Sequence, residues 1–229
     1  MPDTKFSLRA LCGHIRRYFW IYLAGIAVCL VLTSLLWTTT RPQIPNEQNV
    51  IVFLADGYSN YAPLEGVAQD MLLRTQAFDE TLKKVEFQNL QYTGEDYAGM
   101  MLLMTRLAVG EGDAFLASQS AMDQLARSQA LEPLDEYVAA GWLGEYNLAP
   151  YYVTLEDEET GQSSTFLAGL SLDTVNALSE MGAFANQGAY LCVTGNGGNL
   201  ETTMKALEYM MEDLTEGAYA GTEASEPAA

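Results

Sequence analysis

Histidine, cysteine and basic residues are scarce in this chain, and each shortage excludes a class of chemistry. The single histidine is His14, near the N-terminus. That removes Ser-His-Asp and Cys-His hydrolysis, and histidine-ligated zinc, from everything that follows it. The three cysteines are Cys12, Cys29 and Cys192. On the topology read below they fall in three compartments, so no intrachain disulfide joins them and the fold must rest on its own core. Cys192, in the run AYLCVTG, reads as a buried and inert core residue. Lys and Arg number 11 against 30 Asp and Glu, a net charge of −19. No GxxxxGK[ST] phosphate loop occurs, and no cofactor or metal motif stands out.

What is present is one long apolar run. Tyr18 to Trp37 (YFWIYLAGIAVCLVLTSLLW) carries no charge. A helix of that length spans roughly 30 Å, the thickness of a bilayer's hydrocarbon core. Tyr18, Phe19 and Trp20 stand at one end and Trp37 at the other, where interfacial rings are favoured. A buried helix of a soluble protein is the rival, but a run apolar on every face with basic flanks fits it poorly. Lys5, Arg9, Arg16 and Arg17 precede the run and only Arg41 follows closely, which keeps the N-terminus in the cytoplasm. A cleaved signal peptide lacks its Ala-x-Ala site. A lipidated Cys29 would follow the bulky Val28 and be trailed by further apolar residues. The expectation is an uncleaved anchor in the cell membrane.

Charge divides across that anchor. Residues 1–41 carry +4 and residues 42–229 carry −23, which together give the −19 of the chain. An exterior so acidic disfavours nucleic acid and anionic lipid as partners. The expected organisation is a cytoplasmic N-terminus (1–17), a transmembrane helix (18–37) and a polar linker (38–49) with two prolines. An extracytoplasmic α/β domain (50–216) and a small, polar, disordered tail (217–229) follow.

Strands and helices alternate within residues 50–216. VIVFLA (50–55) is an apolar run of strand length. Residues 64–82 place Leu64, Val67, Ala68, Met71, Leu72, Thr75 and Phe78 on one helical face. KVEFQNLQY (84–92) alternates and then slips, a strand with a bulge. Residues 96–108 are helical, with Met100, Leu103, Met104 and Leu107 on one side, and Gly110 stops the helix. AFLA (114–117) is a short buried strand. Ser120 and Asp123 then form a capping-box pattern, Pro133 ends that helix, and Asp135 caps a short one reaching Gly141. YYVTLE (151–156) and SSTFLAGL (163–170) flank EDEETGQ as a β-hairpin. A helix (172–181), a strand (189–194) and a helix capped by Asn199 (200–214) complete the pattern. The fold class is α/β, a doubly wound and mainly parallel sheet with a hairpin, preceded by one transmembrane helix.

A helix ending in Leu107-Ala108-Val109-Gly110-Glu111-Gly112-Asp113, then a strand, a helix and Leu131-Glu132-Pro133-Leu134-Asp135, resembles the first lobe of extracellular solute-binding proteins of ABC transporters. Asn199-Leu200-Glu201, opening a helix with Ala206, Leu207 and Tyr209, is similar to that family's late segment. The resemblance covers roughly half of the outer domain. It implies a periplasmic-binding-protein-like lobe, a solute such as a sugar or peptide, and a transporter permease or other membrane protein as partner. That family has two lobes closing on the ligand. Between Gly141 and Phe166 there is room only for a connector and a hairpin, so a single lobe is expected. Trp142 and Tyr146, near the place where a second lobe would begin, are expected to cover an apolar surface.

In open α/β sheets ligands sit at the carboxyl ends of the strands. The candidate ligand-binding residues are therefore Asp56, Tyr58 and Tyr61 after the first strand, Tyr92 after the second, and Ser118 and Gln119 after the third. The competing reading of these tyrosines is that they shield the sheet edge. Thr194 to Asn199 is a glycine-rich turn with the look of a helix cap rather than a dinucleotide site. Glu156 to Glu159 places its acids consecutively, unlike a calcium loop, and reads as a solvated turn. The expectation is a non-catalytic, membrane-anchored binding module. The alternative is a cell-surface hydrolase, glycosidase-like, using carboxylates alone.

Overall fold

The computed structural model describes residues 18–39, 44–156, 163–184, 188–195 and 198–215. The expected cytoplasmic N-terminus, the tail, the acidic hairpin turn 157–162 and part of the glycine-rich turn lie outside the described residues. The chain divides into two compact units, Met1–Gln43 and Ile44–Ala229.

In the first unit, helix α1 runs Phe19–Thr39, 21 residues. At about 1.5 Å per residue its backbone is roughly 30 Å long. Its described side chains lie open, Trp20 at 77% and Leu30 at 66% exposure. Among the described residues, no helix is long and apolar enough to cross a membrane.

The second unit is built on a six-stranded sheet of order β2-β1-β3-β6-β5-β4. The strands are β1 (Asn49–Asp56), β2 (Lys84–Gln91), β3 (Ala114–Ala117), β4 (Pro150–Glu156), β5 (Ser163–Ser171) and β6 (Tyr190–Val193). The helices are α2 (Glu65–Thr75), α3 (Tyr97–Ala108), α4 (Gln119–Arg127), α5 (Asp135–Ala139), α6 (Ala177–Glu180) and α7 (Leu200–Thr215). β2, β1 and β3 are mutually parallel, as their connecting helices require. The other half is antiparallel. β4 and β5 form the expected hairpin, and β6 returns between β5 and β3, antiparallel to both. The sheet is therefore mixed rather than mainly parallel, because the hairpin and the returning strand supply half of it.

Both faces are covered, which is why β3 and the 50–55 stretch of β1 are apolar throughout. Every residue of both strands is buried. Val50, Val52 and Leu54 serve the core shared with α2 and α7, while Ile51, Phe53 and Ala55 serve the one shared with α3 and α4. Fully burying a side chain of this size stabilises the fold by about 1.5–3 kcal/mol. The slip read in β2 has the same cause and is no bulge. Its register with β1 is unbroken from Lys84 to Gln91. Val85 and Phe87 pack on one core, and Leu90 with Tyr92 on the other.

Several boundaries differ from expectation. α2 stops at Thr75 rather than 82, and Phe78 is half exposed. The stop is local side-chain chemistry: Gln76 Nε2 donates to the Leu82 carbonyl, and Asp79 accepts from the Thr81 amide and hydroxyl. Asp79 also accepts from Thr202 of α7, and these hydroxyl and amide donors, Thr81 first, hold its carboxyl below the ordinary range. α4 ends at Arg127, well before Pro133. Asp135 caps nothing; its carboxylate accepts from the Leu167 amide of β5 at 2.8 Å. The helix expected over 172–181 shrinks to α6, Ala177–Glu180.

The helices expected over 96–108 and 200–214 form, and side-chain bonds fix them in place. Asp96 caps α3, accepting from the amides of Ala98 and Gly99 at 3.0 and 3.1 Å, while Leu103 and Leu107 face the core. Asn199 precedes α7 and donates to the Asn49 carbonyl at 3.0 Å, fastening the late helix to the start of β1. Arg74 of α2 pairs with Glu212 and Asp213 of α7 and lies over the Tyr209 ring. Trp142 and Tyr146 pack against the core under α7, and Trp142 Nε1 donates to the Met204 carbonyl at 3.1 Å.

Candidate functional site

Parallel pairing fixes where the functional side chains gather. β1, β2 and β3 run in one direction and end together. The Tyr92 amide donates to the Asp56 carbonyl at 3.0 Å and the Ser118 amide to the Ala55 carbonyl at 2.9 Å. The residues leaving the three strands are thus held side by side by backbone bonds. The turn after β2 closes tightly at Gly94, whose φ is +85°. A Cβ there would stand 3.0 Å from the Ser120 Cβ, so a glycine lets this turn lie against the start of α4.

Over these ends opens a cleft of about 640 Å³, lined by Asp56, Gly57, Tyr92, Thr93, Ser118, Gln119, Ser120, Asp123, Gly188 and Tyr190. Four of the six expected binding residues meet here: Asp56, Tyr92, Ser118 and Gln119. Tyr58 and Tyr61 do not. They are 67% and 43% exposed and line no part of the cleft. The chain after Asp56 is drawn elsewhere by a bridge from Ser59 to Phe184 and by the Asn60 amide donating to the Ala183 carbonyl.

Asp123 and Tyr190 also line the cleft, with Tyr151 bonded behind them, and none of the three was read as a site residue from the sequence. Ser120 and Asp123 form no capping box, because α4 begins two residues earlier than that box requires, with Ser118 at its N-cap position. Asp123 Oδ1 instead accepts from Gln119 Nε2 at 2.9 Å and from the Tyr151 hydroxyl at 2.6 Å. Gln119 Nε2 also reaches the Tyr151 oxygen, at 3.1 Å. Tyr151 on β4 stacks with Tyr190 on β6, ring centroids 4.9 Å apart. Burial raises the Tyr151 phenol pKa, and acceptance by Asp123 adds to the rise. The Gln119–Asp123 spacing of four was a readable helical pair. The two tyrosines reach it from distant strands, and no local pattern announces them.

Asp56 differs from the other polar residues here. It is 6% exposed, and its Oδ2 is buried without a hydrogen-bond partner. An unpartnered buried polar atom costs about 1–3 kcal/mol, and more when charged. A second groove, about 710 Å³, lies along α7 between Trp142, Tyr137, Met204, Lys205 and Glu208. Its polar residues carry no such unmet demand: Lys205 pairs with Glu208 and Trp142 Nε1 is satisfied. Among the described residues, no group of three or more His, Cys, Asp or Glu is arranged to hold a metal ion.

No protein-family model matches the chain, and no curated protein matches it.

Proposed function

We propose that this protein is a non-catalytic binding module, held at the outer face of the cell membrane by α1, that takes a small polar solute in the cleft over β1, β2 and β3. The observation that carries the reading is the convergence of Asp56, Tyr92, Ser118 and Gln119 around one cleft at the carboxyl ends of parallel strands. The anchor is supported by the uncharged run in α1, by its open apolar side chains and by the basic residues before it. The resemblance to solute-binding proteins of ABC transporters supports a sugar or peptide as solute and a transporter permease or another membrane protein as partner.

The cleft is half of a site. Between Gly141 and Phe166 the described chain gives a short helical turn at Gly144–Tyr146, then β4 and part of β5, all within the one sheet. A solute in such a cleft keeps one face wet, and the isolated protein binds it weakly. A partner held in the same bilayer would supply the other wall, with tethering raising its effective concentration.

The test is calorimetric titration of the monodisperse full chain in detergent with sugars and short peptides. Weak binding, at tens of micromolar or above, supports the reading. Submicromolar affinity in a monomer contradicts the half-site. Exposure of intact cells to protease tests the anchor, which requires the unit from Ile44 onward to be cut while residues 1–17 are spared. Asp56 and Asp123 share the cleft, which is what favours a carboxylate-dependent glycosidase as second reading. Turnover of aryl glycosides, abolished alike by D56N and D123N, would replace the binding reading with that one.

A further inference from the structure

Resting on the binding reading, we infer that the cleft selects an organic cation, a solute carrying a primary ammonium or guanidinium group that seats on Asp56. The cleft holds two carboxylates, Asp56 and Asp123, and no Lys, Arg or His lines it. Asp123 is already engaged, by Gln119 and Tyr151. Asp56 is not: Oδ2 has no partner although the residue is 94% buried. The other buried carboxylate with an unpaired oxygen, Asp213, meets Arg74 through its second oxygen, so its charge is answered within the fold. Among the described residues, Asp56 forms no ion pair and its Oδ2 no hydrogen bond.

A neutral hydroxyl would satisfy the hydrogen bond but leave the charge. An ammonium or guanidinium does both, and charge-assisted bonds are roughly twice as strong as neutral ones. Tyr190, held by its stack on Tyr151, adds an aromatic surface of the kind cations favour. The solute's cationic group supplies the partner that Asp56 Oδ2 lacks in the ligand-free protein.

The experiment titrates the full chain in detergent, at low and at 0.3 M salt, with agmatine and spermidine as cations and glucose, sorbitol and a neutral blocked peptide as controls. The expected result is binding of at least one cation tenfold or more tighter than any neutral probe. D56N should weaken it at least tenfold, while Y58F and the surface variant E136Q leave it unchanged. D56N removes a charge without removing a bond, so its thermal midpoint should equal or exceed that of the unaltered chain, and a melt confirms folding. A cation affinity lowered as much by E136Q as by D56N would show diffuse attraction to the acidic domain and overturn the inference. Binding of a neutral probe without any cation would overturn it too, leaving the solute-binding reading standing. No binding by any probe would overturn both.

Discussion

Asp113 offers the most direct check on the core. It sits at the turn into β3, 5% exposed, and its Oδ2 accepts the Ile51 amide at 2.8 Å. Its own backbone is bonded on both sides, to the Ile51 carbonyl and from the Thr194 amide. Burial pushes its pKa from the ordinary 3.8 to about 6, against the opposing pull of the Ile51 hydrogen bond. The folded state therefore holds this proton more tightly than the unfolded chain does. Below pH 3.8 both states are protonated and the group contributes no pH dependence. As pH rises through the window from 3.8 to about 6, stability is lost, and the loss is complete above it. A shift of that size corresponds to about 3 kcal/mol. Asp113→Asn keeps an acceptor for the Ile51 amide and removes the charge. In urea unfolding from pH 4 to 8, the difference between D113N and the unaltered protein should grow by about 2.5 kcal/mol in favour of the variant and level off above pH 7. Using the difference cancels other titrating groups, Asp79 included. Parallel stability curves for the two proteins between pH 4 and 7 would refute the argument.

Gly112→Ala should cost about 2–4 kcal/mol in urea unfolding, because φ is +94° there and the new Cβ would lie 2.6 Å from the buried Phe53 ring. Trp142→Phe removes the N–H bonded to the Met204 carbonyl and shrinks a buried ring, and should cost about 2–3 kcal/mol by the same measurement. Asp123→Asn should bring the Tyr151 phenol down towards the ordinary tyrosine range in an ultraviolet pH titration, with the burial contribution remaining. The transition can be assigned to Tyr151 by its disappearance in Y151F.

The parts of the fold that follow local rules were legible. The 50–55 stretch of β1 and the whole of β3 are apolar runs of strand length, and α3 buries Leu103 and Leu107 of its expected stripe. Misreadings arose where a second force overrode the period. Phe78 has the spacing of a buried residue, yet the Gln76 and Asp79 side chains end the helix before it. β2 looked bulged because a strand covered on both faces buries Phe87 on one and Leu90 on the other. The antiparallel half of the sheet was obscure for a different reason. Where β6 inserts is decided by pairing with β3 and β5, and residues 190–193 say nothing about direction.

The site divides along the same line. Its floor was readable because strand ends are readable, and parallel pairing brings Asp56, Tyr92 and Ser118 together once the strands are known. Its wall was not, since Tyr151 and Tyr190 come from a hairpin and a returning strand whose positions are tertiary facts. That wall also explains how a cleft without a second lobe keeps its shape. The hydrogen bonds among Asp123, Gln119 and Tyr151 fasten β4, the outermost strand, to the first turn and middle of α4. The hairpin follows α5 and the helical turn at Gly144–Tyr146, and its partly buried Tyr151 makes this connection while Tyr152 is exposed. The side groups on that wall are thus committed to each other, and Asp56 is left as the carboxylate with unfilled bonding capacity. On the solute-binding reading proposed above, a solute would meet a fixed polar wall, and discrimination would fall to the group placed on Asp56.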